Sequence, residues 1–150
     1  MRNFFDQNAS QQFKDRLARL TPNSERQWGK MNVAQMVSHL CKGTEQAMGE
    51  VLPRRIFLGR IIGRFVKSHA LGDDDPMVRN SPTVPGFVIT DNPDFAAERQ
   101  RLYRLIDRAT AGGPATCTDH PHSFFGKLTQ EQWGILMYKH LDHHLRQFGV

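Results

Sequence analysis

Three of the seven histidines in this 150-residue chain fall within five positions near its end. In "MYKHLDHHLRQFGV", residues 137–150, they are His140, His143 and His144. Imidazole nitrogens are common ligands of transition-metal ions, and imidazole also titrates close to neutral pH. The group therefore has two interpretations: part of a metal site, or polar side chains on an ordinary solvated helix.

Helical geometry separates these three histidines into a pair and a single residue. Successive residues of an α-helix are rotated by about 100°, which places His140 and His144 about 40° apart on one face. His143 lies about 60° away on the other side of His140. The pair shares its face with an apolar stripe of Trp133, Met137, Leu141 and Phe148. Because residues four apart are neighbours on a helix, both imidazoles can reach a single cation.

A metal ion needs a third ligand, and the best candidate is His39. It lies on the second predicted helix, at the edge of the apolar face formed by Met36 and Leu40. Cys41 is only two residues away and therefore points elsewhere, so we interpret it as a core thiol. The alternative is that each histidine is satisfied by ordinary hydrogen bonds. Burying adjacent imidazoles without a shared cation or other partners costs free energy, which favours the metal site.

Composition predicts a single domain, 1–150, in the cytoplasm. A chain of this length can bury one core, and 39% of its residues are hydrophobic. No apolar stretch approaches the roughly 20 residues of a membrane span, and no secretory signal is visible. Two cysteines are too few for a disulfide scaffold. The net charge of +5 comes from dispersed basic residues without a zinc-finger or RNA-recognition motif, so we expect no nucleic-acid partner.

Four segments have a helical period, and strand-like alternation is nearly absent. The first segment runs from about Ser10 to Leu20. The second begins near Asn32, a good N-cap residue with Gln35 three positions later, and ends before Pro53.

The third helix begins in "DNPDF", where Asp91 or Asn92 is the expected cap and Pro93 suits the first turn. The "GGP" sequence at 112–114 ends it. The fourth begins at "LTQEQW", with capping-box spacing at 129 and 132, and reaches almost to Val150. We therefore predict an all-α fold, a four-helix bundle with a long crossover between helices two and three.

That crossover contains a basic and apolar segment, "RRIFLGRIIGRFVK", at 54–67. It is compatible with a short amphipathic helix, and three interpretations of its role stay open. The helix packs over the bundle, or it recognises carboxylates of a thiol cofactor, or it lies on an anionic membrane with its apolar side chains buried. Residues 71–87 are too rich in proline and charge to be regular.

Four aromatic side chains and two glutamines have further possible roles. His120 and His122 lie in the loop that enters the fourth helix, where they either line a pocket mouth or are solvated. Trp28 and Trp133 are more typical of core anchors than of a cofactor site. Two glutamines are placed to orient imidazoles, although exposed glutamines are common: Gln35 and Gln147.

Three stretches of the chain resemble the DinB/YfiT-like superfamily of metalloenzymes, and the resemblance covers most of the sequence. They are "WGKMNVAQMVSHL" (28–40), "HPHSFFGKLTQEQW" (120–133) and "YKHLDHHLRQFGV" (138–150). The resemblance implies a four-helix bundle in which His39, His140 and His144 bind a divalent metal. Relatives often end in HHRxQ where this chain has "HHLRQ". Gln147 is as far from His144 as the glutamine of those relatives is from their histidine, but Arg146 is one position later than their arginine. The resemblance therefore implies no role for Arg146.

A three-histidine site leaves coordination positions open for water or substrate. Imidazole ligands suit zinc, nickel, copper or iron. Characterised relatives include transferases and isomerases that use low-molecular-weight thiols. The resemblance therefore implies a metal-dependent transferase or hydrolase that activates water or a thiol and acts on a small-molecule substrate. The alternative is a non-catalytic metal-binding or interaction bundle, in monomeric or homodimeric form.

Overall fold

The computed structural model describes all 150 residues and is entirely helical, as predicted. It has five α-helices and no β-strands: α1 (Ala9–Ala18), α2 (Val33–Ala47), α3 (Phe57–Ala70), α4 (Phe95–Gly112) and α5 (Gln130–Gln147). Two short 3₁₀ helices, Pro85–Phe87 and Gly113–Thr116, lie before and after α4. None of the helices is both long and apolar enough to cross a membrane.

Reciprocal capping boxes begin the two helices that carry the candidate metal ligands. The Asn32 side chain accepts a hydrogen bond from the Gln35 amide, and the Gln35 side chain accepts one from the Asn32 amide. Thr129 and Gln132 make the same pair of bonds before α5. Each box satisfies amide groups that the first helical turn leaves free. Both predicted caps are confirmed.

The predicted start of the third helix is wrong by two or three residues. Neither Asp91 nor Asn92 caps α4, and Pro93 precedes the helix instead of lying in its first turn. The cap is Asp94, whose carboxylate accepts a hydrogen bond from the Ala97 amide at 2.7 Å. Asp91, Asn92 and Asp94 are all residue types that cap helices, so residue type alone does not determine where α4 begins. α1 also differs from its predicted range, by one or two residues at its ends.

A single cluster of 26 buried residues forms the core. α2 packs against α4 and α5, and α1 packs against the same two helices. Trp133 is 2% exposed, in agreement with its predicted role as a core anchor. Because the apolar faces of α2 and α5 meet in this core, polar residues at the edges of those faces are brought together.

Ion pairs fix α5 in this arrangement. The two carboxylate oxygens of Asp142 bind Arg16 of α1 at 2.8 Å and Arg146, one turn along α5, at 2.7 Å. The largely buried ammonium of Lys139 donates to the Ala70 carbonyl and to Asp73, just beyond α3. Arg146 thus belongs to this network and not to the histidine cluster.

The basic segment does form an amphipathic helix, α3, but not one whose apolar side packs over the core. Its only buried residues are Gly59 and Gly63. The irregular character predicted for 71–87 is confirmed, apart from the 3₁₀ helix that begins at Pro85.

Candidate metal centre

The structure brings His39 of α2 together with His140 and His144 of α5. One ring nitrogen from each residue lies within 4.8 Å of those of the other two. The ring centroids are 4.8 Å apart between His39 and each partner, and 4.9 Å apart between the two α5 histidines. The i, i+4 spacing and the packing of α2 on α5 produce this convergence.

A main-chain carbonyl fixes the orientation of His39. Its Nδ1 lies 3.0 Å from the Phe87 carbonyl oxygen, at the end of the 3₁₀ helix. Because a carbonyl only accepts, Nδ1 carries the proton and Nε2 keeps its lone pair. That Nε2 lies 2.8 Å from Nε2 of His140. The lone pair of His39 is therefore directed at the centre of the cluster.

A glutamine fixes His144 in the same way. Nδ1 of His144 lies 2.8 Å from Oε1 of Gln147, whose Nε2 donates to the Trp28 carbonyl at 2.8 Å. Since the carbonyl needs a donor, the amide must point its oxygen at His144, and Nδ1 again carries the proton. Gly29 has φ +81°, and a Cβ there would collide with the Gln147 amide. The bend at Trp28 and Gly29 thus helps to hold the imidazole.

The third imidazole, His140, lies against the backbone of α2. A Cβ added at Gly43 would lie 2.8 Å from both Cε1 and Nδ1 of the His140 ring. Gly43 is one turn after His39, so a glycine at this position lets the α5 imidazole approach the α2 ligand.

Burial keeps the three imidazoles neutral. Loss of hydration lowers the pKa of His39, lowers that of His144 to about 3 and lowers that of His140 well below its ordinary value. Mutual repulsion between charged forms of the rings adds to the effect on His140 and His144. Neutral rings present the lone pairs that a metal ion requires.

His143 lies outside the cluster, as the helical geometry predicts. Its ring is 5.0 Å from that of His144, and it meets the Trp28 ring edge-on at 5.7 Å. Trp28 is half-buried, and the Arg79 guanidinium lies 4.1 Å from the centroid of its ring. The interpretation of Trp28 as a core anchor is therefore wrong: it is held between a histidine and a cation near the surface.

The loop histidines also lie outside the cluster. His120 is exposed, whereas His122 stacks on Phe125 with centroids 4.9 Å apart. Nδ1 of His122 accepts hydrogen bonds from the amides of Phe124 and Phe125, both at 3.1 Å. His122 therefore organises the turn that leads into α5.

This role gives a testable pH dependence. Burial, with a smaller contribution from the charge of Arg55, lowers the pKa of His122 from 6.5 to about 4. As the pH falls, the imidazole of residue 122 is therefore protonated in the unfolded chain before it is protonated in the folded protein. The contribution of His122 to stability is fully present above the pKa of the unfolded chain, and it is lost as the pH falls from that pKa towards the lower pKa of the folded protein. Between about pH 7 and about pH 5, the unfolding free energy of the metal-free wild type should therefore fall by about 2 kcal/mol more than that of metal-free His122→Asn.

Asparagine is the suitable replacement because its side-chain oxygen can accept from the same following amides. Chemical denaturation at the two pH values, with a chelator present, gives the comparison. His120→Asn, at an exposed position in the same loop, is the matched control. An unchanged pH dependence in His122→Asn would mean that His122 does not contribute to acid sensitivity.

Two other residues singled out from the sequence do not contact the histidines. Gln35 is occupied by its capping box and donates to the Asp91 carbonyl. Cys41 is fully buried and its thiol donates to the Glu98 carbonyl at 3.6 Å. Burial raises the pKa of Cys41 to about 12, which agrees with an inert core thiol.

The groups that sequence reasoning missed are mostly in the main chain. The carbonyls of Phe87 and Trp28 orient two of the imidazoles, one of them through Gln147. Every residue has a carbonyl, so no residue type marks these positions. The glycine pair of Gly29 and Gly43 was the available signal, since each allows a close approach that a side chain would block.

The donor set fits a divalent transition-metal ion. It consists of three neutral imidazoles, with two Nδ1 atoms held by oxygen acceptors in the way that outer partners commonly orient metal-binding histidines. No carboxylate or thiolate joins the group, which disfavours hard ions such as magnesium.

Fold and site together define an all-helical protein with a buried three-histidine cluster. The chain belongs to the DUF1569 family of proteins of unknown function, whose family model matches residues 4–149. Searches of curated proteins and of solved structures gave no match.

Proposed function

We propose that this protein is a divalent-metal-dependent enzyme in which His39, His140 and His144 bind the ion. The observation that carries the proposal is the convergence of the three imidazoles with two of their Nδ1 protons already engaged. These hydrogen bonds fix the tautomers of His39 and His144, so that the Nε2 lone pair of each ring is available to an ion. The metal is one that imidazole favours, such as zinc, nickel, copper or iron.

The fold expected with this function is a four-helix bundle of the DinB/YfiT-like type, formed by α1, α2, α4 and α5. Its support is the resemblance of three stretches of sequence, together with the packing of α2 on α4 and α5. In this arrangement α3 and the irregular residues 71–87 form the crossover, and the carbonyl of Phe87 brings that crossover to the site.

Three protein ligands are characteristic of catalytic sites, because a structural zinc site is usually closed by four. No fourth histidine, cysteine or carboxylate joins this cluster. When bound, a divalent ion supplies Lewis acidity that lowers the pKa of a coordinated water or thiol. The protein's own part is to hold three neutral imidazoles in place and to exclude water from two of them, since His39 and His144 are 4% and 8% exposed.

The substrate is a small molecule, and a low-molecular-weight thiol is the proposed co-substrate. This part of the proposal rests on the resemblance, which implies transferase or hydrolase chemistry. The second candidate is a non-catalytic metal-binding or interaction bundle, in monomeric or homodimeric form. The absence of a fourth ligand from the cluster favours the enzyme over this candidate.

Cobalt-substituted protein tests the proposal. A thiol that occupies the open position should add a thiolate-to-cobalt charge-transfer band and release a proton, since coordination favours the thiolate. Cysteine, glutathione and simpler thiols should be compared by absorption spectroscopy. The His143→Ala variant should give the same response, because His143 is not among the proposed ligands.

If no thiol perturbs the cobalt spectrum while small anions do, the thiol-dependent reaction is excluded and hydrolysis becomes the proposed chemistry. If neither thiols nor anions change the spectrum, the ion has no open position and the non-catalytic function is correct.

A further inference from the structure

The outward side of α3 is an exposed apolar surface. Phe57 and Phe65 are each 77% exposed, and Leu58 and Ile61 are 55% and 57% exposed. At about 100° per residue these four side chains fall within one sector of the helix, about 100° wide. We call them the α3 outer face. Scattered single exposed apolar residues are normal, but a contiguous group of this kind marks an interaction site.

Glycines determine that this apolar face points away from the protein. A Cβ at Gly59 would lie 2.5 Å from the Phe124 carbonyl oxygen, and one at Gly63 would collide with the same atom. The helix therefore lies with its glycine side directly on the loop before α5. The Ile56 amide and the Lys67 ammonium also donate to carbonyls of this loop. An ordinary surface helix turns its apolar side towards the core, whereas α3 turns its apolar side towards solvent.

The charged side chains of α3, and of the residues directly before it, have one sign. Residues 51–72 contain no aspartate or glutamate. They contain five cations, and Arg60 and Arg64 are exposed on one flank of the outer face. The cations are Arg54, Arg55, Arg60, Arg64 and Lys67.

We propose that the α3 outer face docks on an anionic lipid surface. The apolar side chains enter the boundary between headgroups and acyl chains, and the flanking arginines meet lipid phosphates. An amphipathic helix with aromatic and aliphatic residues on one side and basic residues beside them binds in this way. Long arginine side chains keep their charged ends at headgroup level while their stems cover apolar surface.

A second copy of the chain is the rival occupant, and its charges disfavour it. Two-fold pairing of α3 with itself would place cationic flanks close together, and the segment provides no acidic residue to neutralise them. A lipid surface rich in phosphate provides the missing negative charge.

Vesicle sedimentation of the full chain tests the proposal. Wild-type protein should bind vesicles of phosphatidylcholine mixed with phosphatidylglycerol much more strongly than vesicles of phosphatidylcholine alone, and added salt should weaken the binding. Arg60→Gln with Arg64→Gln should lower the partition coefficient about 25-fold, since each basic residue near an anionic surface contributes about fivefold.

The apolar contribution has its own variant and control. Phe57→Ser with Phe65→Ser should lower the partition coefficient about tenfold or more, because binding scales with the apolar area buried. Val78→Ser, at a position 72% exposed outside α3, should leave binding unchanged. Arg19→Gln with Arg104→Gln, at exposed positions directly after α1 and within α4, is the matched charge control.

Two outcomes would overturn the proposal. The first is equal binding of wild type and the phenylalanine variant to anionic vesicles. The second is a wild-type dimer in sedimentation velocity that the phenylalanine variant dissociates, with no vesicle binding by wild type. That second result would assign the α3 outer face to another copy of this chain.

Discussion

Replacing His39, His140 or His144 by alanine should reduce bound metal to about a tenth of the wild-type content or less, because each supplies one of only three ligands. The His143→Ala variant should keep its metal. His143 lies next to His144 in sequence, but its ring contacts Trp28 and it does not join the cluster. Elemental analysis of protein purified without an affinity tag measures this directly.

Folding must be checked in the same variants, since two of the imidazoles are buried. His39→Ala leaves the Phe87 carbonyl without its partner, and His144→Ala does the same to the Gln147 oxygen. Far-ultraviolet circular dichroism separates loss of metal from loss of fold. Equal metal content in all four well-folded variants would contradict the ligand assignment.

Gln147→Leu should weaken metal binding about 10–100-fold, the usual cost of losing an outer partner of a metal-binding histidine. The substitution removes the acceptor that fixes Nδ1 of His144 and the donor to the Trp28 carbonyl. Competition with a chromophoric chelator gives the affinity. Because the variant keeps all three imidazoles, it should still bind metal at saturation, which distinguishes it from the ligand variants.

Gln35→Leu is the matched control for this experiment. Gln35 was an equally good candidate from the sequence, yet it serves the α2 capping box and contacts no histidine. Its loss should cost about 1 kcal/mol of stability and leave metal affinity unchanged. A similar loss of affinity in both variants would show that helix stability, and not the orientation of His144, determines binding.

The local rules of helix formation were enough to predict much of this structure. Period and caps located α2 and α5, and the i, i+4 rule distinguished the inward pair from His143. His39 followed from its position at the edge of an apolar face and from the family resemblance. Each of these predictions concerns residues on a single helix, where the spacing along the sequence determines which side chains lie on the same face.

The remaining features depend on contacts between distant segments. The bond from Gln147 to the Trp28 carbonyl joins residues 119 positions apart. Which side of α3 faces the core could not be predicted from the sequence either, because the hydrophobic period is the same whether the apolar side faces the core or solvent. The contact of Gly59 and Gly63 with the Phe124 carbonyl, in a distant part of the chain, places the glycine side inward. The start of α4 at Asp94 was a choice among three possible caps.

Anomalous diffraction from a crystal of tag-free, metal-loaded protein tests the central claim most directly. Data collected on both sides of the absorption edge of the loaded metal locate the ion without assumptions about its ligands. We predict one strong peak among the ring nitrogens of His39, His140 and His144. A peak at another group of side chains, or no peak in a fully folded protein, would contradict the proposed metal centre.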